Sequence, residues 1–369
     1  MSRIHSRRSG FALPVAVFAI VIIGALVAGA FFASTQEFRI GSNTLQQTRA
    51  LGAAEFGLNE THANWNSSWN TTMQRGEVQT TTPATSDGSV ATVRVTRLND
   101  QAFLVASEGV SGQARRRTAK LLVLNVPQLN ILAALTARGA TRIGGSSFID
   151  GNDHTYPGWD CPVAGAPMPG IAASDTTDIT RSGCQNYNCV AGSPKVVETP
   201  AAADTSTYFN FGGLDWTQLT AMASKIAGGT KTVLPSVLNG VCDINDASNW
   251  GEPVKANGGP CVDYYPIIYA PSDATLNGGR GQGILLVEGD LQVQGGFEFF
   301  GPVIVRGTLK TAGTGGHFNG GVMAANVDLD QNVVIGNAVI SFSRCAILKA
   351  LNSSAKLATA TERAWYEVY

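Results

Sequence analysis

The feature that most constrains this chain is an uninterrupted apolar run near its amino terminus. Residues 11–33 form a stretch of 23 positions without a charged or strongly polar side chain. As a helix, this length spans the roughly 30 Å of hydrocarbon in a bilayer. Four basic side chains precede the run, those of Arg3, His5, Arg7 and Arg8. We therefore expect the amino end to stay cytoplasmic and the rest of the chain to be exported.

Three interpretations of this run are open. A cleaved secretion signal has an apolar region of about 7 to 15 residues, which is shorter than this one, although Ala28-Gly29-Ala30 has the small residues of a cleavage site. A permanent single-pass anchor is the second interpretation. The third is an anchor that also serves as a structural part of an assembly.

The residues at the start of the run favour the third interpretation. A short basic leader ends at Gly10, and Phe11 opens the unbroken hydrophobic stretch. This pattern resembles prepilins, in which a prepilin peptidase cuts after the glycine and the apolar segment becomes the mature amino-terminal helix. The resemblance implies a leader at 1–10, processing at Gly10 and Phe11, and a transmembrane or filament-core helix at 11–34. It places Phe11, Leu13, Pro14 and Val15 at the start of the assembly helix.

Val15 departs from the pattern of most pilins, which have Glu at this fifth mature position. In that family the carboxylate is thought to neutralise the terminal ammonium of a neighbouring subunit. An unpaired charge in apolar surroundings costs several kcal/mol or more, so a subunit without the carboxylate fits poorly as the repeated shaft component. The departure is similar to the K-type minor pseudopilins and the PilX-type minor pilins.

Residues 35–126 have the pattern of a helix followed by a sheet. Leu51, Ala54, Leu58, Thr61, Trp65 and Trp69 recur at spacings of three and four, which predicts one face of an amphipathic helix that reaches about residue 65. The segment 49–60, RALGAAEFGLNE, resembles the corresponding region of PilX-type proteins. Four β-rich segments within 76–126 then predict an antiparallel meander that this helix covers. The arginines at 115–117 are expected at a solvated edge of that sheet.

Residues 127–369 contain a repeat. Val287 matches Val305, Gly289 matches Gly307 and Leu291 matches Leu309, each 18 residues apart. Such spacing predicts a β-solenoid, and residues 284–345 resemble the rungs of PilX-type and bactofilin-like proteins. An earlier segment, 139–151, aligns with 289–301, so we expect a solenoid that accommodates a large insertion at about 152–280. The tail, RAWYEVY, is expected to cap the solenoid.

Six cysteines lie beyond residue 160. They are Cys161, Cys184, Cys189, Cys242, Cys261 and Cys345. Their even number is compatible with three disulfides, for which 15 connectivities exist. Disulfides require an oxidising compartment, which agrees with export. We expect no metal site, because the cysteine and histidine spacings do not match those of zinc sites.

Catalytic patterns are weak in this sequence. The acidic candidates for a glycosidase pair are Asp150, Asp153 and Asp160 in one segment and Glu288, Asp290 and Glu298 in another. Ordinary outward-facing polar positions explain them better. Oxygen-rich stretches at 149–160 and 242–250 lack the spacing of an EF-hand. A net charge of −1 gives no indication of nucleic-acid binding. We expect a protein without enzymatic activity or cofactor.

Together these patterns predict an α+β chain: a long N-terminal pilin-type helix with an antiparallel sheet, followed by a β-solenoid-like domain with a large insertion. The function they predict is that of a minor pilin or pseudopilin-like subunit. Its expected partners are other pilin subunits, the prepilin peptidase and the inner membrane, with the head in the periplasm or on a filament, where it adheres to surfaces. A permanently anchored envelope scaffold or carbohydrate-binding solenoid is the alternative.

Overall fold

The computed structural model describes residues 11–159, 161, 163–253, 259–326, 332–359 and 365–368, the side chains of 356 and 365–368 excepted. The α-helices of these residues are α1 (Ala12–Ala63), α2 (Trp69–Thr72), α3 (Ser206–Phe209), α4 (Trp216–Ala221) and α5 (Arg344–Ser354). The strands up to the middle of the chain are β1 (Val78–Thr81), β2 (Val90–Arg97), β3 (Ala102–Ser111), β4 (Ala114–Asn125), β5 (Leu135–Ala137), β6 (Thr141–Gly144), β7 (Phe148–Asp150), β8 (Ile171–Ala173), β9 (Ile179–Ser182), β10 (Val190–Ala191), β11 (Val196–Glu198), β12 (Lys225–Ile226) and β13 (Gly229–Val233). The remaining strands are β14 (Val237–Leu238), β15 (Val241–Cys242), β16 (Ile267–Ala270), β17 (Ala274–Gln282), β18 (Ile284–Val287), β19 (Leu291–Gln294), β20 (Phe297–Val305), β21 (Leu309–Thr311), β22 (Gly316–Ala324), β23 (Asn332–Val334), β24 (Val339–Phe342), β25 (Lys356–Thr359) and β26 (Trp365–Val368).

The long helix α1 packs on an antiparallel sheet with only its carboxyl-terminal part. Strands β1 to β4 pair in sequence order, as the meander predicts. Their alternate side chains face the helix and form a core around Leu58, which includes Val93, Val95, Phe103, Val105, Leu122 and Leu124. Of the predicted helical stripe, Ala54, Leu58 and Thr61 are buried. The helix ends at Ala63, two residues before the predicted end.

Trp65 and Trp69 lie beyond the end of α1 and still cover the core. The ring of Trp65 packs edge-on against Phe103 and against Trp69, with 5.1 Å between centroids in both pairs. Its indole nitrogen donates a hydrogen bond to the buried Asn70, 2.8 Å away. The two tryptophans therefore close the end of the helix–sheet core, although they do not belong to a continuous helical stripe.

The chain returns to this first sheet at its carboxyl end. Strand β25 pairs antiparallel with residues 122–125 of β4, and β26 pairs antiparallel with residues 117–120. The prediction that the tail caps the solenoid is therefore wrong, since its strand is used to extend the sheet on α1. The physical reason is that β4 is long and leaves an open edge whose backbone groups need partners.

The second part of the chain is a curled parallel sheet. Three consecutive strands, such as β5, β6 and β7, make one coil, and each strand pairs in parallel with the equivalent strand of the next coil. Registers agree with the 18-residue offset in the sequence, because Val287 lies beside Val305 and Leu291 beside Leu309. Apolar side chains thus stack in columns; one column contains Phe299, Phe318, Ile340, Ile149 and Val190.

The aligned glycines of the sequence repeat lie at equivalent corners of these coils. Gly145 and Gly295 both follow the second strand of a coil and have φ values of 66° and 69°. A side chain is strained in this left-handed region, and a Cβ on Gly145 would lie 2.9 Å from the carbonyl oxygen of Gly336. Glycine therefore permits both the tight corner and the close stacking of the next coil.

The stacking order differs from the chain order. The chain enters the stack in the middle at β5–β7, winds outward through β8–β10, and reaches one end at β11. Residues 199–224 then cross to the other end, where β12 and β13 pair with β16 and β17. From there the chain winds back, and β22–β24 close on β5–β7.

The segment 152–280, predicted as an insertion, contributes to both ends of this stack. Strands β8–β11 add to one end, and β12, β13, β16 and part of β17 build the other. Long loops and the short hairpin β14–β15 lie between them. The sequence repeat did not show these coils because their strands are short and lack the 18-residue period.

Helix α5 connects the two parts of the molecule. It begins with Ser343 as N-cap, whose hydroxyl oxygen accepts a hydrogen bond from the amide of Ala346. Its buried residues Ala346, Ile347, Ala350 and Leu351 face the coils, and a Cβ on Gly301 would lie 3.2 Å from that of Ala350. Its far end meets the first sheet, where the amide of Asn70 donates to the carbonyl oxygens of Asn352 (3.2 Å) and Ala355 (3.3 Å).

Candidate functional site: the projecting half of the first helix

The amino-terminal part of α1, before Ala50, projects from the rest of the molecule. The first buried residue in the helix is Ala50, so residues 11–49 extend as a helical arm, which meets the first sheet through the side chains of Gln46 and Gln47 near its end. At 1.5 Å per residue this arm is about 58 Å long. Its amino-terminal part, residues 11–34, contains no charged side chain, and Glu37 and Arg39 are the first charges after it. We call residues 11–49 the projecting segment.

The projecting segment has the length and apolar character of a membrane span. Large apolar side chains are exposed along it, including those of Phe18, Ile20, Ile23, Leu26, Phe31 and Phe32. In water, so large an unbroken apolar surface is unfavourable. By length and composition, α1 is long and apolar enough to cross a bilayer.

The predicted processing and assembly residues begin this segment. Phe11 precedes the first helical residue, and its carbonyl oxygen accepts a hydrogen bond from the amide of Val15 at 3.3 Å. Pro14 lies in the first turn, where the missing amide hydrogen costs no helical bond. Phe11, Leu13 and Val15 are exposed. Gly10 lies outside the described residues.

Val15 leaves this helix start without a carboxylate. The amide groups of a helix's first turn have no intrahelical partner and carry partial positive charge. No acidic residue lies in the first turn of α1. Whatever contacts this end therefore meets an apolar surface with unpaired amide donors.

An exposed stripe continues the projecting segment toward the sheet. Phe38, Leu45 and Gly52 are seven residues apart, and Phe56 follows four residues later. At 100° per residue these positions share one side of the helix, and the sheet-packed residues occupy another. Phe38, Leu45 and Phe56 are exposed, and a Cβ added at Gly52 would have no atom of the described chain within 4 Å. This helical stripe was not predicted, although its seven-residue spacing is visible in the sequence.

All six cysteines form disulfides within the described chain. The pairs are Cys161–Cys345, Cys184–Cys189 and Cys242–Cys261. Sequence alone left 15 pairings open. The first pair joins segments that are 184 residues apart in the chain, and this proximity arises because β24 stacks on β7.

The acidic candidates for catalysis hold structural positions. Both oxygens of Asp153 accept backbone hydrogen bonds, from Arg344 at 2.8 Å and Gly165 at 2.7 Å. Asp150 pairs with His154 at 2.8 Å. No hydrogen bond or ion pair within the described residues joins either of them to Glu288, whose partners are Trp216, Tyr269 and Arg306. Asp160 lies outside the described residues.

The later acidic candidates are also bound to neighbouring groups. Glu288 pairs with Arg306 and accepts a hydrogen bond from the indole of Trp216 at 2.7 Å. Glu298 pairs with Arg280 at 2.7 Å. Asp290 pairs with Lys310 at 2.8 Å. These carboxylates link adjacent coils to each other and to the crossing segment.

The arginine cluster and the oxygen-rich stretches have local partners. Arg115 and Arg117 are exposed and pair with Glu108, while Arg116 donates to Gln47 of α1 at 3.1 Å. The carboxylates of Asp243 and Asp246 accept from nearby backbone amides at 3.0 and 2.8 Å. Within the described residues, no group of three or more acidic, cysteine or histidine side chains is placed to hold a metal ion.

Comparison with known proteins does not assign the chain to a family. No protein-family model matches the chain, and no curated protein matches it. Among solved structures, the competence-associated pilin ComZ from Thermus thermophilus matches over 88% of this chain and 96% of that chain, at 12% sequence identity and a TM-score of 0.26. At this TM-score the match carries no argument. The functional conclusion therefore rests on the chain's own architecture, a projecting apolar helix joined to an antiparallel sheet and a curled parallel sheet.

Proposed function

We propose that the chain is a type IV pilin-like minor subunit. The observation that carries this proposal is the division of α1 at Ala50. The carboxyl-terminal part of the helix packs into the core of the first sheet. The apolar side chains of the projecting segment are exposed. A helix divided in this way is suited to two successive environments, the inner membrane and the interior of a filament made of similar helices.

The amino terminus of the mature subunit is Phe11 under this proposal. A prepilin peptidase cuts after Gly10 on the cytoplasmic side, and the apolar segment remains as the anchor with the head outside. The absence of a charged side chain between Phe11 and Glu37 supports this, because a charged side chain at the bilayer centre costs several kcal/mol. The peptidase, the membrane and neighbouring pilin or pseudopilin subunits are the proposed partners.

Val15 and the size of the head support a minor, PilX-type position. A shaft subunit repeats many times, and the terminal ammonium of each copy needs a carboxylate from its neighbour. The aliphatic Val15 does not provide this carboxylate. The head, with its stacked coils, occupies far more space than the helix and sheet alone. Both features fit a subunit placed at a tip or in small number, where the head is accessible for adhesion.

The head works by binding under this proposal, and the chain has no enzymatic role. The acidic side chains that sequence patterns single out are engaged in ion pairs and backbone hydrogen bonds within the solenoid. A general acid or base needs a carboxyl group free to exchange a proton with a substrate. The described carboxylates instead stabilise the stacking of the coils.

The experiment that tests the proposal is to identify the mature amino terminus by mass spectrometry of membrane and filament fractions from the native host. We expect a start at Phe11 in the wild type and in the control variant Gly24→Ala, whose Cβ meets no atom of the described chain within 4 Å. Gly10→Val is expected to keep its leader and to be absent from filaments. A start near Phe31 would contradict the proposal in favour of a cleaved secretion signal. An intact Met1 in the wild type would instead indicate a permanently anchored scaffold.

A further inference from the structure

A pocket of about 180 Å³ lies where helix α5 meets the first sheet. Asn70, Thr71 and Arg97 line it from the side of α2 and β2, and Leu348, Lys349 and Asn352 line it from α5. We call this space the junction pocket. The three α5 residues lie within four positions of one another in a helix, so they share one face. The pocket is therefore formed jointly by the two parts of the molecule.

Arg97 is the most deeply buried charged side chain of the junction pocket, with 7% of its surface exposed. Its guanidinium donates hydrogen bonds to the carbonyl oxygens of Met73 at 2.7 Å, Asn99 at 3.2 Å and Asp100 at 3.2 Å. The same group lies 5.6 Å from the centre of the Phe103 ring. These contacts hold the guanidinium in a fixed position beside the pocket.

The charge of Arg97 is not balanced by an acidic side chain. None of the ion pairs between described residues includes Arg97. A guanidinium has five N–H donors, and the three carbonyl oxygens occupy three of them, which leaves two. Buried charges are normally paired, because a full charge removed from water needs an opposite charge as well as hydrogen bonds. An anion beside the guanidinium supplies both.

The facing wall of the junction pocket adds a second positive charge. The ammonium group of Lys349 lies 5.7 Å from the centre of the Trp159 ring and forms no ion pair with a described residue. One turn further along α5, the side-chain amide of Asn352 provides neutral donors at the same wall. None of the residues that line the pocket is acidic. The pocket thus combines two cations with no compensating carboxylate.

The size of the pocket and the placement of its donors select the kind of anion. Drug-sized ligands occupy about 300–1,000 Å³, so a pocket of about 180 Å³ suits a smaller ion. A planar carboxylate is matched by one guanidinium fork from a single side. In the junction pocket, Arg97 lies on the sheet side and Lys349 on the helix side. A tetrahedral ion directs its oxygens to both sides and matches this arrangement better.

We propose that the junction pocket binds one phosphate or sulfate ion between Arg97 and Lys349. Hydrogen bonds between charged groups are stronger than those between neutral groups, and both cations contribute them here. The bound ion links β2 to α5 and so stabilises the contact between the first sheet and the solenoid. This inference goes beyond the filament role and does not depend on it, because it concerns the head alone.

The test is isothermal titration calorimetry of the full chain in detergent, with inorganic phosphate, sulfate or acetate added to a chloride buffer of constant ionic strength. We expect the wild type to bind one phosphate or one sulfate per chain and acetate more weakly. Lys349→Gln and Arg97→Lys are each expected to weaken binding at least about tenfold, since one loses a charge and the other loses the guanidinium fork. Arg94→Gln is the matched control, because Arg94 is exposed on the opposite face of the same strand; it is expected to bind as the wild type.

Thermal unfolding gives a second measurement. An ion that binds only the folded chain raises the melting temperature in proportion to its occupancy, so phosphate is expected to raise it in the wild type and in Arg94→Gln but much less in Lys349→Gln. Lys349 is partly exposed on α5, so this variant decides the question if Arg97→Lys does not fold. Absence of phosphate and sulfate binding in the wild type overturns the proposal. Equal affinity of Lys349→Gln and the wild type, or tighter binding of acetate than of phosphate, overturns it as well.

Discussion

At the scale of single residues, Gly109 decides how closely α1 approaches its sheet. A Cβ at this position would overlap the carbonyl oxygen of Ala50 and would lie 2.6 Å from the amide nitrogen of Ala54. Both neighbours are backbone atoms of α1, so they cannot move aside as a flexible side chain does. Gly109 and the small helix residues Ala50, Ala53 and Ala54 therefore form a close backbone contact at the point where the helix leaves the head.

Gly109→Ala is expected to push α1 away from β3 and to lower the free energy of unfolding by about 1–3 kcal/mol. The measurement is urea unfolding of the full chain in detergent, followed by tryptophan fluorescence. Gly52→Ala is the matched control, because its Cβ points away from the sheet; replacing an exposed helical glycine is expected to add up to about 1 kcal/mol. Equal stability of Gly109→Ala and the wild type would contradict the close contact.

Asp290 is the acidic residue whose protonation is expected to matter for stability. One carboxylate oxygen accepts from the amide of Thr308 at 2.8 Å, and the other pairs with Lys310 at 2.8 Å. Partial burial acts to raise the pKa of Asp290, but the hydrogen bonds from Lys310 and Thr308 outweigh it and bring the pKa below its ordinary value of 3.8. The ionised form is therefore favoured in the folded state.

The sign of the pH dependence follows from this lowered pKa. Asp290 stabilises the fold at pH values above 3.8, and this contribution is lost as the pH falls through the lower, folded-state pKa. Asp290→Asn is expected to be less stable than the wild type at pH 7, and the difference is expected to shrink in acid. Unfolding free energies from pH 7 down to pH 3 provide the measurement, with the exposed Asp178→Asn as control. A difference that stays constant with pH would count against the ion pair.

At the scale of elements, the disulfide Cys161–Cys345 links two segments that are distant in the chain. Cys161 follows the coil β5–β7, and Cys345 lies in the first turn of α5, just after β24. Strand β24 pairs with β7. The disulfide therefore links the last coil along the chain to the first coil along the chain. The other two disulfides close loops of 5 and 19 residues within single loop regions.

Removing Cys161–Cys345 is expected to cost more stability than removing Cys184–Cys189. Loop-closure entropy gives about 5 kcal/mol for the long loop and about 2 kcal/mol for the short one. Replacing each pair by serines and measuring urea unfolding under oxidising conditions tests the order. If the Cys184–Cys189 variant proves the less stable of the two, the closing role of the long-range bond is wrong.

The elements differ in how well the sequence predicts them. Local periodicity predicts the helix from spacings of three and four residues, and the meander from spacings of two. It predicts the registers of Val287 and Leu291 from the spacing of 18 residues. The pairing of β25 and β26 with β4 does not follow from periodicity, since an open strand edge accepts many partners. The exposed stripe of Phe38 and Leu45 was not predicted, because a helical pattern in the sequence does not say which side of the helix stays exposed.

At the scale of the whole molecule, the carboxyl end of the chain returns to the first sheet. The far end of α5 lies next to the first sheet, where Asn70 bonds the carbonyl oxygens of Asn352 and Ala355, and β25 returns to β4. The stacking order was not predictable from the sequence, because every coil offers similar apolar columns and similar parallel edges. The outcome is a head attached to α1 by several segments, while the projecting segment extends from it.

Under the proposed function, the projecting segment is buried among other subunits in a filament. The most direct measurement places a photo-cross-linking amino acid at Phe38, on the exposed stripe, and examines sheared filaments from the native host. Phe148, exposed on the solenoid, is the control position. We expect covalent adducts between Phe38 and a second pilin-type subunit in the filament fraction, with none at Phe148. Recovery of the protein only in membranes, without a protein adduct at Phe38, would contradict it.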